Sequence, residues 1–162
     1  MTAAFDPAGD PLAFRAALSR YPTGVTVVTC AGADGPVGMT ANSFASLSLD
    51  PPLILWSPAK SSRRAAAYLA ADRFAVHVMG AEQKPAAVAF TREADAFGSL
   101  DWREAEGVPL IEGCLARMVC ATHAVQDAGD HHLILGRVLE AEEREGAALV
   151  FAGGRYGEMA AA

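Results

Sequence analysis

The sequence predicts a mainly β protein, a mostly antiparallel sheet carrying a few peripheral helices. Three observations carry that prediction. Runs of β-branched and apolar residues outnumber the stretches with a helical period. Consecutive runs at both ends of the chain are joined by turns too short for a parallel crossover. Several runs are apolar on both faces, as a closed barrel or a sheet covered by a second copy requires.

The elements follow in order. Residues 11–21 (PLAFRAALSRY) place Phe14, Ala17, Leu18 and Tyr21 on one helical face, with Asp10 as N-cap and Pro11 in the first turn. Pro22 stops that helix. Residues 24–30 (GVTVVTC) read as a strand that ends at the turn Gly32-Ala33-Asp34-Gly35. A second strand covers about 37–43, and a third covers 53–56, entered through Pro51-Pro52. Ser61 or Ser62 is expected to cap a helix over 65–70, which a strand over 73–79 follows. A short helix over about 82–92 tolerates Pro85 only in its first turn. Residues 93–113 carry turn signals and little periodicity. Two long strands, 116–126 and 131–142, are joined by the tight turn Asp127-Ala128-Gly129-Asp130. A last strand, 148–152, runs into Gly153-Gly154.

With 162 residues, 52% of them hydrophobic, one domain over 1–162 is expected, and the composition excludes intrinsic disorder. The net charge of −6, with 13 basic residues spread from end to end, argues against a nucleic-acid binder. No apolar run reaches the ~18 residues of a membrane helix, and the N-terminus does not read as a secretory signal. The expectation is a soluble, cytoplasmic protein. Cys30, Cys114 and Cys120 are odd in number and none lies in a Cys-x-x-Cys pair, so they read as small buried hydrophobes in a reducing compartment.

Three segments bear on chemistry. Residues 38–53 hold Thr40, Asn42, Ser43, Ser46 and Ser48, five short polar side chains within nine residues. Such groups suit the edge of a flat heteroaromatic ring, although composition alone favours a Ser/Thr-rich loop making local turns. The second segment, Pro58-Ala59-Lys60-Ser61-Ser62-Arg63-Arg64, sits where a strand gives way to a helix and suits a phosphate. The competing reading is a capped helix with a solvated basic first turn, which is awkward because cations oppose the dipole there. The third segment is Gly129–Val138. Adjacent strand residues point to opposite faces, so His131 and His132 do not form a paired metal centre. Gly136 in mid-strand lets something flat or bulky approach the backbone. His77 and His123 read as structural histidines. No G-x-G-x-x-G, phosphate-loop, H-E-x-x-H or G-x-S-x-G motif occurs.

Four blocks in order (residues 21–29, then 39–53, then 74–78, then Gly129-Asp130-His131 with Gly136-x-Val138) resemble the flavin reductase domain family over about residues 11–157. These are small NAD(P)H:flavin oxidoreductases that supply reduced flavin to two-component monooxygenases. The resemblance implies an FMN-binding split β-barrel of antiparallel Greek-key type, and a homodimer whose interface helps form the flavin site. It implies FMN or FAD as flavin, NADH or NADPH as hydride donor, and a partner oxygenase that receives reduced flavin by diffusion. Thr40, Ala41, Asn42, Ser43, Ser46 and Ser48 match the isoalloxazine segment. Ser57, Lys60, Ser61 and Ser62 match the ribityl and phosphate turn. Phe90, following Gln83, matches an aromatic at the flavin's edge, His131 matches a histidine near the nicotinamide, and Tyr156 matches a C-terminal Gly-x-Tyr element near the ring. Departures fall at His77, Met79 and Pro85. Two other readings share the fold: a flavoprotein that keeps its FMN and carries electrons, and a non-catalytic barrel for haem or another ligand.

Overall fold

The computed structural model describes residues 4–98 and 100–161. In chain order, α1 (Pro11–Leu18) precedes β1 (Thr23–Gly24), β2 (Thr26–Gly32), β3 (Gly35–Ala41), β4 (Ala45–Leu49) and β5 (Pro52–Trp56). Next come α2 (Ala65–Ala70), β6 (Arg73–Val78), a 3₁₀ turn (Ala81–Gln83), α3 (Lys84–Arg92), β7 (Trp102–Ala105) and β8 (Val108–Ile111). The C-terminal third is β9 (Ala116–Ala128), β10 (His131–Glu143), β11 (Ala148–Ala152) and β12 (Arg155–Met159).

Seven strands pair antiparallel in the order β3-β2-β6-β9-β10-β5-β4, so the edge strands β3 and β4 are consecutive in the chain. In a flat sheet, six gaps of ~4.8 Å would part those edges by about 29 Å. The four steps from Ala41 to Ala45 span at most about 14 Å. The sheet therefore curls until its edges meet, and the result is the expected split barrel. A small sheet, β1-β11-β12, and the hairpin β7-β8 flank it.

Closure explains why the strands are apolar on both faces. Val28, Ile54, Trp56, Phe74, Val76, Cys120 and Ile134 come from strands all around the sheet and fill its interior, with Tyr68 of α2 inserted among them. Val27, one residue from Val28, points the other way and packs with Met79, Phe90, Phe97, Ile111 and Leu149. Mid-strand Gly136 is approached by the protein itself: a Cβ there would lie 2.5 Å from Phe74 Cζ.

The buried charged or titratable side chains His77 and Arg117 are paired, whereas Thr23 Oγ1 and Trp56 Nε1 are buried without a partner. His77 is fully buried; its Nδ1–H donates to the Val27 carbonyl at 3.0 Å and its Nε2 accepts from the Ile111 amide at 3.0 Å. That fixes one neutral tautomer, and burial pushes the imidazole down to about 4. Arg117, nearly buried, pairs with Glu142 at 2.6 Å and Glu112 at 3.4 Å. All three cysteines are free and buried, as expected.

Several boundaries differ from the sequence reading. α1 ends at Leu18, with Asp10 Oδ1 accepting from the Ala13 amide at 2.9 Å, but its apolar face stays open, with Leu18 59% exposed. Neither Ser61 nor Ser62 caps α2. Arg64 occupies the cap position without a side-chain hydrogen bond, because turns persist through 59–64 and Ser62 Oγ accepts instead from the Arg64 amide at 3.3 Å. β4, the hairpin β7-β8 and β12 are strands where loops were expected.

His77 makes stability depend on pH. Its folded pKa, about 4, lies below the unfolded value of about 6.5, so its contribution is complete above pH 6.5 and is lost as pH falls towards 4. Denaturant melts should lose about 3 kcal/mol over that window. His77→Gln, which cannot titrate, should flatten this part of the profile, and an unchanged profile would contradict the assignment.

Candidate active site

The seam of the barrel carries the site. At the end of β3, Thr40, Ala41 and Asn42 meet Val25, Thr91, Phe151 and Tyr156 around a cavity of about 160 Å³. Phe151 and Tyr156 reach it because β11 and β12 pair across Gly153-Gly154, and the rings stack edge to face at 5.1 Å. Burial pushes the Tyr156 phenol up, and Lys84 Nζ lies 5.8 Å from its ring centre. Thr40 Oγ1 donates to the Ala87 carbonyl at 2.5 Å, which ties β3 to α3 and leaves that hydroxyl only as an acceptor. The side chains of Asn42, Ser46 and Ser48 have no partner among the described residues. A β-bulge between Ser46 and Ser48 changes the register of β4 on β5 and re-aims these hydroxyls.

Ser43 is spent on architecture. Its hydroxyl donates to the Ser57 carbonyl at 3.1 Å and accepts from the Ser57 amide at 3.0 Å, clamping the seam to the end of β5. Just beyond, residues 58–60 are stitched to the start of β10. The His132 amide donates to the Pro58 carbonyl at 3.0 Å and the Lys60 amide to the Asp130 carbonyl at 2.9 Å. The stitching gathers Lys60, Asp127, Asp130 and His131. Lys60 Nζ pairs with Asp127 Oδ2 at 2.5 Å, and its ammonium pulls the Asp127 carboxyl below its ordinary value. His131 Nδ1 donates to Asp130 Oδ1 at 2.7 Å, a bond that lowers the Asp130 carboxyl and leaves Nε2 free to face a ligand.

Past this turn, Ser61, Ser62, Arg63, Arg64 and Arg92 border a second cavity of about 550 Å³. Arg64 is anchored: its guanidinium donates to the carbonyls of Gly38 (3.0 Å), Phe90 (2.5 Å) and Thr91 (3.2 Å). It thus satisfies the last turn of α3 and joins the ring cavity to the basic turn.

The structure therefore brings together two of the expected groups, Thr40-Ala41-Asn42 with Tyr156, and Ser57-Lys60-Ser61-Ser62 with His131. Phe90 is a correction. It is fully buried beneath Gly38, stacked on Phe97 at 4.9 Å, and presents no surface to a ligand. Sequence reasoning missed Val25, Thr91 and Phe151 because apolar strand residues read as core, and missed Arg92 because a cation in a last helical turn reads as dipole chemistry.

A family model described as a flavin reductase like domain matches residues 18–160. The chain belongs to the flavin reductase family. It is 53% identical over 157 residues to the FMN reductase (NADH) SmoA of Agrobacterium fabrum, covering 96% of this chain and 90% of that one. It is 45% identical over 131 residues to the flavin-dependent monooxygenase reductase subunit HsaB of Mycobacterium tuberculosis, covering 80% and 70%. The solved NADH:FAD oxidoreductase SgcE6 of Streptomyces globisporus superposes with a TM-score of 0.92 at 39% identity, covering 99% and 98% of the two chains. Within this flavin reductase fold, the resemblance drawn from the sequence blocks holds over nearly the whole chain.

Arg64 has a measurable role here. A single ammonium cannot reach three divergent carbonyls. Arg64→Lys should cost about 1–3 kcal/mol in urea melts, and a cost below about 0.5 kcal/mol would contradict the anchoring.

Proposed function

We propose that this flavin reductase takes a hydride from NADH or NADPH, passes it to FMN or FAD, and releases reduced flavin to a partner oxygenase. One observation carries the reading: an apolar, aromatic-walled ring cavity and a basic, hydroxyl-bearing turn lie on one seam, joined by the Ser43–Ser57 bonds and by Arg64. The similarity to SmoA, named an FMN reductase (NADH), and to HsaB, named a monooxygenase reductase subunit, supports it.

The residues suit a flavin. Val25, Ala41, Phe151 and Tyr156 offer apolar cover to a ring face, and Asn42, Ser46 and Ser48 offer donors and acceptors to a carbonyl-bearing edge. When bound, the nicotinamide and flavin would supply the hydride donor and acceptor, so the hard chemistry would be the cofactors' own. The chain holds the rings in register and excludes water from one face. Asn42, Ser46 and Ser48 donate where negative charge gathers during reduction. Asp130 fixes the His131 ring, and His131 Nε2 orients the nicotinamide amide. Ser61, Ser62 and Arg63 receive the flavin phosphate, with Lys60 at its rim exchanging Asp127 for the anion.

A second copy completes the site in this reading. A cavity of about 160 Å³ is well below the roughly 300 Å³ of a usual ligand pocket. Leu49, 95% exposed, and Leu47 stand on β4 beside Ser46 and Ser48, where a homodimer would cover them. Free, buried thiols suit the cytoplasm. No helix among the described residues is long and apolar enough to cross a membrane.

The test is NADH oxidation by the purified full chain with FMN, FAD and riboflavin compared side by side. Oxidation should require added flavin, and His131→Ala should lower kcat/KM for NADH at least tenfold with flavin affinity unchanged. A change within twofold removes the role of His131. A stoichiometric yellow chromophore would replace the reductase with an electron carrier, and a Soret band without NADH consumption would replace it with a haem barrel.

A further inference from the structure

The tight turn between β9 and β10 does more than set the register of the sheet. Ala128 pairs with His131 across Gly129-Asp130, with Gly129 in the left-handed region, so the next pair of the ladder is Asp127 opposite His132. Directly opposed residues share a face, with Cβ atoms about 4.5–5.5 Å apart. His131, one residue earlier, points the other way and keeps to Asp130, while His132 faces Asp127. The His132 amide donates to the Pro58 carbonyl at 3.0 Å, which holds the start of β10 against the turn that carries Lys60.

Asp127 is therefore shared between two elements. Lys60 Nζ reaches it at 2.5 Å from the turn after β5, and His132 stands beside it on β10. The Lys60 hydrogen bond, the Lys60 charge and then the His132 charge hold its carboxyl below the ordinary value. At the hairpin tip, Asp130 and His131 bond each other, and Lys60 acts on Asp130 as well. The proposed flavin contacts draw Lys60 away from Asp127 towards a phosphate. The carboxylate left behind has His132 as its other neighbour, a partner only when the imidazole is protonated. Histidine is the side chain whose charge ordinarily changes between pH 5 and 8. With His132 neutral, Lys60 and Asp127 cancel. With His132 protonated, the three groups carry one net positive charge, and Asp127 keeps a partner once Lys60 turns to the anion.

We propose that His132 is a positioning residue for flavin binding: protonated, it takes over Asp127 and releases Lys60 to the flavin phosphate. The phosphate-dependent part of flavin affinity then strengthens as pH falls from 8 to 5.5. This rests on the flavin reading of the turn. At alkaline pH the exchange runs backwards, Asp127 reclaims Lys60, and the flavin leaves more readily. Linkage makes the effect reciprocal, so bound flavin raises the affinity of His132 for its proton.

The test is equilibrium titration of the full chain with FAD and with riboflavin from pH 5.5 to 8, where the ratio of dissociation constants isolates the phosphates. The pyrophosphate of FAD keeps its charge over this range, and riboflavin carries the same ring, so an effect of His131 on the ring cancels. The riboflavin-to-FAD ratio should rise about two- to fivefold on acidification, the span of an exposed ion pair. It should stay flat in His132→Gln. His132→Lys, charged throughout, should hold the higher ratio at pH 8, and Asp127→Asn, which frees Lys60, should do the same. A ratio that rises equally in His132→Gln overturns the proposal, as does one that stays flat in the unaltered chain while FAD still binds more tightly than riboflavin. The flavin-free chain gives a second reading: the Asp127 carboxyl carbon-13 resonance should shift as His132 titrates, and not in His132→Gln. FAD and riboflavin bound equally at every pH, with that shift present, would sink the flavin reading of the turn and leave the linkage of His132 to Asp127 and Lys60 standing. Absence of the shift would sink the linkage itself.

Discussion

The structure depends on a length mismatch: three residues, 42–44, must join the two edges of a seven-stranded sheet. A link of that length cannot cross a flat sheet, so closure is obligatory once the other pairings form. Closure makes an inside, which is why β2 can be apolar on both faces without exposing either. It also brings β3 and β4 side by side without pairing them, and unpaired edges must be covered or occupied. The ring cavity and the exposed leucines of β4 both sit at this seam. The place where the barrel fails to seal is the place where it offers a site.

Ser43 shows how the seam is held. One hydroxyl, donating to and accepting from Ser57, locks the short connection to β5 and brings residues 58–60 to the start of β10. Arg64 does the corresponding work on the other side, using one guanidinium for three carbonyls from β3 and α3. Neither residue needs to touch a ligand to matter. Each sets the distance between the groups that would.

The sequence made most of the sheet legible, because buried β-branched runs such as 26–30 announce themselves by composition alone. It hid β4, whose serines read as a loop and whose strand character comes from pairing with β5 through a bulge. It hid β12 for a similar reason: Arg155–Met159 is short and polar, and only the positive-φ glycines 153 and 154 folding it onto β11 make it a strand. His77 and the cysteines were read correctly, since burial was the simplest account of each. Phe90 was not, because a family position says nothing about which way a helix turns its ring. Arg64 read as one of three cations of a phosphate turn; its three acceptors are backbone carbonyls, invisible to any pattern of side chains.

The charges around Lys60 carry a consequence for how tightly a flavin is held. Lys60 is already paired with Asp127, and Asp130 lies close enough to feel its charge. An arriving phosphate therefore exchanges one exposed ion pair for another, and exposed pairs differ little in free energy. Arg63 and Arg92 have no such partner among the described residues, so attraction for the anion is concentrated past the turn and away from the ring. An anion drawn to that cavity gains little from Lys60 on the way. Tight retention would call for the opposite arrangement, an unpaired and desolvated cation at the phosphate nearest the ring. A Lys60 already neutralised by Asp127 suits a flavin that arrives oxidised and departs reduced.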